Sequence, residues 1–285
     1  MEKIDSYIEL LKPRILSLVL VTTALGYFLG GHGIQSALAL VHLLFGTACV
    51  CGGSAALNHY LERDADAKMN RTKNRPIPSG DIPATNALIF GIILTLAGVC
   101  YLYLKINLLT AFLALLTAFM YVLVYTPLKK VTWLNTTIGA IPGALPPMGG
   151  WAAATGNLDV GAWILFAILF LWQHPHFFAI AWMFKEDYKQ GGFKMLPVVE
   201  PHGQSTFKQT IWSLLFLIPV SIAPTLIGMS GKIYAVGALI SGIYFLKSGW
   251  DFTQSKSIAD ARSLLKVSVI YLPILLILIV LDKQF

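Results

Sequence analysis

Read for its hydrophobic and polar positions, the chain falls into long apolar blocks separated by polar segments. The blocks run for roughly 18–22 residues, enough to cross a bilayer core of about 30 Å as helices. They predict nine spans, at about 14–31, 37–60, 84–104, 107–126, 135–153, 159–182, 208–228, 231–249 and 264–282. The expected fold class is all-α, a polytopic membrane bundle of about nine transmembrane helices. No soluble or low-complexity segment interrupts it, so residues 1–285 read as a single transmembrane domain. The fifth block carries Asn135, Gly139, Pro142, Gly143, Pro146, Pro147, Gly149 and Gly150. Such a segment cannot be a regular lipid-facing helix, because broken backbone at membrane depth needs protein or a cavity beside it. It reads as a cavity wall.

Composition agrees: 56% of residues are hydrophobic, 12% are charged, and mean hydropathy is +0.69. A soluble domain carries roughly twice that charged fraction. The net charge of +7 needs no nucleic-acid partner. Long charged segments (61–83, 127–134, 183–207, 250–263) alternate with short ones and share one side of the bilayer with the N-terminal tail. That side holds 18 Lys and Arg, and the other holds 3 (Lys105, Lys232 and Lys283), together the 21 of the sequence. The positive-inside rule makes the charged segments and the N-terminus cytoplasmic and the C-terminus external, in a multi-pass protein of the cell membrane. Lys12 and Arg14 precede an apolar block that reads as a retained first span rather than a cleaved leader. Cys49, Cys51 and Cys100 lie in apolar blocks and read as small packing residues, with no disulfide framework.

Two polar clusters carry the candidate chemistry. The second block continues into Asn58-His59-Tyr60-Leu61-Glu62-Arg63-Asp64-Ala65-Asp66. Asn58, Glu62 and Asp66 are spaced i, i+4, i+8, one helical face drifting about 40° and rising about 6 Å per step. This strip of oxygens suits Mg²⁺, which takes one or two carboxylates plus substrate phosphates. Asp64 points elsewhere on a continuing helix. Lys68, Arg71 and Arg75 follow, spaced to project together if the helix persists, and their cations suit phosphate oxygens. Acids beside bases neutralise each other unless a metal and a polyanion sit between them, so metal–diphosphate is the natural occupant. The bland alternative is a salt-bridged cytoplasmic loop.

The second cluster follows span six. Lys185-Glu186-Asp187-Tyr188 leads through Gly191-Gly192 to Lys194. Asp187 is the preferred acid for a second metal and Lys194 a phosphate contact, since two-metal clamps suit phosphate chemistry. Within the span, Gln173, His174 and His176 are costly in lipid and point to a cavity or to neighbouring helices. The two histidines diverge by about 160° on a regular helix, so only one can face a ligand unless Pro175 bends the chain. A loose echo between the charged segments after spans two and six hints at repeated units.

These residues resemble the UbiA superfamily of intramembrane prenyltransferases, whose nine-helix bundles carry two acid-rich motifs at the cytoplasmic mouth. Its first motif, Asn-Asp-x-x-Asp-x-x-x-Asp followed by Arg-Thr-x-x-Arg-Pro, is matched by Asn58, Glu62, Asp66, Arg71-Thr72 and Arg75-Pro76. His59 and Glu62 stand where aspartates are usual. Tyr125-Thr126-Pro127-Leu128-Lys129-Lys130, Ile141 through Trp151, Gln173-His174-Pro175-His176-Phe177 and Asp187 through Pro197 point to the branch that farnesylates heme. The second motif is thinner than the superfamily norm, with Asp187 its main acid.

The resemblance implies Mg²⁺ as cofactor, held by Asn58, Glu62, Asp66 and Asp187. It implies diphosphate contacts from Lys68, Arg71, Arg75, Lys129 and Lys194. Farnesyl diphosphate and heme b would be substrates and heme O the product, with a heme A synthase acting downstream. His174 or His176 would meet heme; His176 is favoured because it lies beyond Pro175, nearer the cytoplasmic mouth. Two alternatives stand beside this: prenylation of an aromatic quinone precursor by the same chemistry, and a heme-handling membrane protein that is not an enzyme. The charged constellation at 58–75 argues against a transporter, which more often sets its charges mid-span.

Overall fold

The computed structural model describes residues 2–284; Met1 and Phe285 lie outside the described residues. The chain is helical throughout, with no β-strand among the described residues. In order it forms α1 (Glu2–Leu10), α2 (Pro13–Gly30), α3 (Ala37–Asp66), α4 (Ala84–Lys105) and α5 (Leu108–Phe119). A π-helical turn (Met120–Tyr125) then leads into α6 (Thr126–Leu128). There follow α7 (Asn135–Ala144), α8 (Pro146–Thr155), α9 (Val160–Met183), α10 (Lys185–Gln190), α11 (Leu196–Val199), α12 (Gln204–Leu226), α13 (Lys232–Ser255) and α14 (Ile258–Leu281).

Among the described residues, seven helical segments are long and apolar enough to cross a membrane: α2, α3, α4, α5 through α6, α9, α12 and α14. The other two expected spans correspond to the broken pair α7–α8 and to α13, so an architecture of about nine is compatible with this count. Large apolar side chains such as Leu104, Phe112, Trp163, Phe216 and Ile240 stand exposed on the outer surface. In water that surface would be costly; against lipid tails it is matched.

Helix starts follow local chemistry. Ser36 and Asn107 accept hydrogen bonds from the backbone N–H groups of Ala39 and Thr110 at 3.2 and 2.8 Å, capping α3 and α5. Pro13 and Pro146 open α2 and α8, where the missing N–H costs nothing. Helix ends depart from the hydropathy boundaries. α3 runs six residues past the expected end of its span, and α13 and α14 grow toward each other until only Lys256 and Ser257 separate them. Hydropathy marks where the hydrocarbon ends, whereas backbone hydrogen bonds carry a helix on into water.

The helices pack around two main apolar cores. One gathers residues of α8, α9, α12, α13 and α14, including Trp151, Leu165, Phe245 and Tyr271. The other joins α2, α3, α4 and α5 through Tyr27, Leu43, Val50, Leu102 and Ala111. α8 lies so close to α2 that a Cβ on Gly150 would collide with the Thr23 carbonyl, the close approach that small residues permit between membrane helices. The amphipathic α1 was not foreseen. It seats Leu10 against Ala56, Ile77, Ile82 and Ala87.

Candidate active site

A cavity of about 550 Å³ opens between the cores, lined by α2, α3, α5, the π-helical turn, α7 to α9 and the charged segments after α3, α6 and α10. Its walls are largely apolar, with Ile15, Leu18, Leu113, Leu169 and Leu272 among them. The broken fifth span lines it as expected, through Thr136, Gly139, Pro142, Gly143, Leu145, Pro146 and Gly149. Gly143 is needed because a Cβ there would meet Oε1 of Gln173.

Polar groups collect at one end. Asn58, Glu62 and Asp66 project together from the last turns of α3, are 0%, 4% and 0% exposed, and all line the cavity. Asp64 points away, 76% exposed at its side chain. Each of these side chains is met by a basic one. Lys12 Nζ donates to Asn58 Oδ1 at 2.6 Å, Lys129 Nζ to Glu62 Oε1 at 2.7 Å, and Arg75 to Asp66 Oδ2 at 2.7 Å. Asn58 Nδ2 donates to Thr126 Oγ1 at 2.9 Å, fixing the orientation of the amide.

The π-helical turn sets the opposite wall. Pro127 has no N–H to close a regular turn; instead the Thr126 N–H and hydroxyl both reach back to the Tyr121 carbonyl, the hydroxyl at 2.8 Å. That register stacks Tyr121 on Tyr125, centroids 5.8 Å apart, and turns both to the cavity. π-turns of this kind are common at functional sites. Lys129 lies 4.6 Å from the Tyr125 ring centroid. Burial works against its charge, but the Glu62 carboxylate and the two tyrosines outweigh that and hold the ammonium above the usual lysine range. Lys12 is pulled the other way: burial first, then the charge of Arg75, lowers it to about 7.

Several expected residues sit elsewhere. α3 stops at Asp66 and the chain goes on in turns, so Lys68 does not share a helical face with Arg71 and Arg75. It is exposed and off the cavity wall. Arg71 does line the cavity, its guanidinium 5.3 Å from the Phe184 ring and 5.7 Å from the Tyr188 ring. Lys194 is exposed, and only its backbone serves the site: its N–H donates to the Lys129 carbonyl at 2.7 Å and its carbonyl accepts from Asn135 at 2.9 Å. Asp187 accepts the Arg71 backbone N–H at 3.2 Å and is off the cavity wall. It pins the backbone at Arg71 instead of joining Glu62 and Asp66. No three His, Cys, Asp or Glu side chains among the described residues gather closely enough to hold a metal ion by themselves.

The two histidines divide as helical geometry requires. His176 lines the cavity, while His174 turns away and is buried. His59 is buried with both ring nitrogens unpartnered among the described residues, and nothing in the structure explains it. Lys12 escaped the sequence reading because a lysine ahead of a first span looks like an orienting charge. Tyr121 escaped because a tyrosine in an apolar block looks like packing.

A lipid-embedded apolar chamber, closed at one end by carboxylates, an amide and cations, defines an intramembrane enzyme acting on a long apolar chain with an anionic head. The model of the UbiA prenyltransferase family matches residues 19–270, and the chain belongs to that family. The protoheme IX farnesyltransferase of Solibacter usitatus (strain Ellin6076) is 48% identical over 97% of this chain and 98% of its own length. That of Salinibacter ruber (strain DSM 13855 / M31) is 44% identical with the same coverage of each chain. Among solved structures, a digeranylgeranylglyceryl phosphate synthase superposes with a TM-score of 0.83 at 20% identity, over 99% of both chains. A UbiA homologue from Archaeoglobus fulgidus bound to GPP and Mg²⁺ gives 0.67 at 16% identity, over 96% of this chain and 99% of its own. At these identities the structures speak to the fold.

Proposed function

We propose that this protein transfers the farnesyl group of farnesyl diphosphate to a vinyl group of heme b, giving heme O. The observation that carries the reading is the buried Asn58–Glu62–Asp66 strip facing Lys12, Arg71, Arg75 and Lys129 at the polar end of an apolar cavity. The names of the relatives, protoheme IX farnesyltransferases at 39–48% identity, support the acceptor and the prenyl length.

The donor set fits Mg²⁺. Asp66 Oδ1 is buried with no hydrogen-bond partner among the described residues, an arrangement that is costly unless a cation or donor completes it. Glu62 and Asp66 would hold the ion, with Asn58 one turn further along the same strip, and the substrate phosphates would complete the shell. The homologue of the same fold solved with GPP and Mg²⁺ supports a metal beside a prenyl diphosphate. When bound, Mg²⁺ supplies positive charge against the diphosphate oxygens.

Lys12, Arg71, Arg75 and Lys129 take up the charge that builds on the leaving group. Lys12, Arg75 and Lys129 are already aimed by their bonds to the strip and Arg71 by the Phe184 and Tyr188 rings, so little reorganisation is needed as the bond breaks. The allylic C–O bond cleaves with its electron pair leaving on diphosphate. Tyr121 and Tyr125 present ring faces at the same end, where a cation is favoured. The apolar walls hold the farnesyl chain and keep water from C1. The terminal carbon of the heme vinyl group bonds to C1. The cation left beside the porphyrin ring takes hydroxide from water, releasing a proton, and no electrons are exchanged. Asp187 serves by fixing the Arg71 backbone. The charged segments face the cytoplasm in the cell membrane, and the product passes to a heme A synthase.

The test is purified protein in nanodiscs with Mg²⁺ and farnesyl diphosphate, offered heme b or 4-hydroxybenzoate, with products read by mass spectrometry. Heme carrying one farnesyl and one water is expected. Prenylated hydroxybenzoate with unmodified heme would overturn the reading.

A further inference from the structure

We infer that His176 is the axial ligand by which this site grips the iron of its porphyrin, with Ser268 locking the ring in the ligating tautomer. The inference rests on the heme reading above and adds how the acceptor is recognised.

Hydrogen bonding assigns the proton. Ser268, wholly buried on α14, has its Oγ 2.6 Å from the Leu265 carbonyl. A carbonyl only accepts, so the single hydroxyl proton of Ser268 is spent there. The same Oγ lies 2.8 Å from His176 Nδ1 and must therefore accept, which puts the imidazole proton on Nδ1. Nε2 is left with a bare lone pair and has no hydrogen-bond partner among the described residues, in a residue that lines the cavity. A metal-ligating histidine characteristically has this form, its second nitrogen donating to a fixed acceptor that sets tautomer and orientation.

The ring is held on a second side. Trp172, one turn earlier on α9, stacks against it with centroids 4.9 Å apart and planes 25° from parallel. The Trp172 indole N–H donates to the Ser268 carbonyl at 2.8 Å, so one residue of α14 fixes both rings. His174 has the opposite character. Its Nδ1 donates to the Phe170 carbonyl at 2.8 Å, and its Nε2 has Thr137 Oγ1 at 3.3 Å. Both nitrogens are engaged within the helix bundle, and the residue is off the cavity wall. A single axial bond suits a substrate that must be held while its vinyl edge stays free to meet C1 and its product must leave.

The experiment is a spectral titration of the full-length protein in nanodiscs with hemin and, separately, with metal-free protoporphyrin IX. The wild type should shift the Soret band of hemin and bind it more tightly than the metal-free ring. His176→Ala should abolish the shift and level the two affinities, and added imidazole should restore the shift. Ser268→Ala should weaken hemin alone by about 10–100-fold, the usual effect of removing a ligand's hydrogen-bond partner. His174→Ala should keep the shift. An unchanged Soret band and unchanged preference for hemin in His176→Ala would overturn the inference. Should that variant not fold, an unchanged preference in Ser268→Ala would do the same. Heme farnesylation that persists with wild-type spectra in His176→Ala sinks ligation alone, whereas a wild type that binds neither porphyrin sinks the heme reading with it.

Discussion

Lys129→Met separates what the polar end contributes to stability from what it contributes to chemistry. Lys129 and Glu62 are joined at 2.7 Å, with side chains 13% and 5% exposed. Removing one partner of a buried pair leaves an uncompensated charge and costs about 3–5 kcal/mol. Lost contact with the Tyr125 ring, 4.6 Å away, adds about 1 kcal/mol. Methionine keeps most of the stem's packing, so the single variant should be destabilised by roughly 4–6 kcal/mol. Adding Glu62→Gln removes the stranded carboxylate. The double variant should then lose only about 1–2 kcal/mol, a recovery of about 3–4 kcal/mol over Lys129→Met. Activity should not follow. Lys129→Met loses a cation that acts on the departing diphosphate and Glu62→Gln a carboxylate that would hold the metal, each a loss of about 10²–10³ in turnover, and the double variant should stay as inactive. Unfolding in detergent and farnesyl transfer by mass spectrometry, run on all four proteins, give the cycle. A double variant no more stable than Lys129→Met would refute the buried-pair argument, and activity that returned with stability would refute the catalytic one.

Asp66→Ala should cut prenyl transfer at least about a hundredfold while the protein still purifies folded; full turnover in EDTA, or near-normal turnover in the variant, would end the metal assignment. Arg71→Lys should lower kcat/KM about tenfold or more, because a forked donor and its stacking on Phe184 and Tyr188 are lost while the charge stays. Lys68→Ala, exposed and off the cavity, should remain within about twofold of wild type; the reverse order would return Lys68 to the site. Gly143→Ala drives a methyl into Gln173 and should destabilise by about 1–3 kcal/mol, read as a lower melting temperature in detergent; an unaltered melt would mean the fifth span yields freely.

Membrane class, the approximate spans and the Asn58–Glu62–Asp66 strip were all legible in the chain, because each rests on a periodicity or a block length that bilayer thickness and helical pitch convert directly into geometry. The glycines and prolines of the fifth span likewise announced a cavity wall, since backbone of that kind survives in a membrane only beside protein or water. The spacing of Asn58, Glu62 and Asp66 did carry α3 on to Asp66, but the ends of α13 and α14 were not legible: hydropathy reports the hydrocarbon boundary, and both helices continue past it on backbone hydrogen bonds. Nor were the partners of the strip. Lys12 and Lys129 come from 46 and 67 residues away along the chain and Tyr121 meets Lys12 across 109; the resemblance placed Lys129 at the site, but no local pattern distinguishes a lysine that reaches Asn58 or Glu62 from one that orients a span. Lys68, Lys194 and Asp187 show the converse, since residues of the right type in the right segment face outward or brace the backbone once the turns are formed. His174 and His176 are the sharpest case. Helical pitch alone required that they diverge, but only the approach of α14, carrying Ser268, decided which one keeps a free nitrogen toward the cavity.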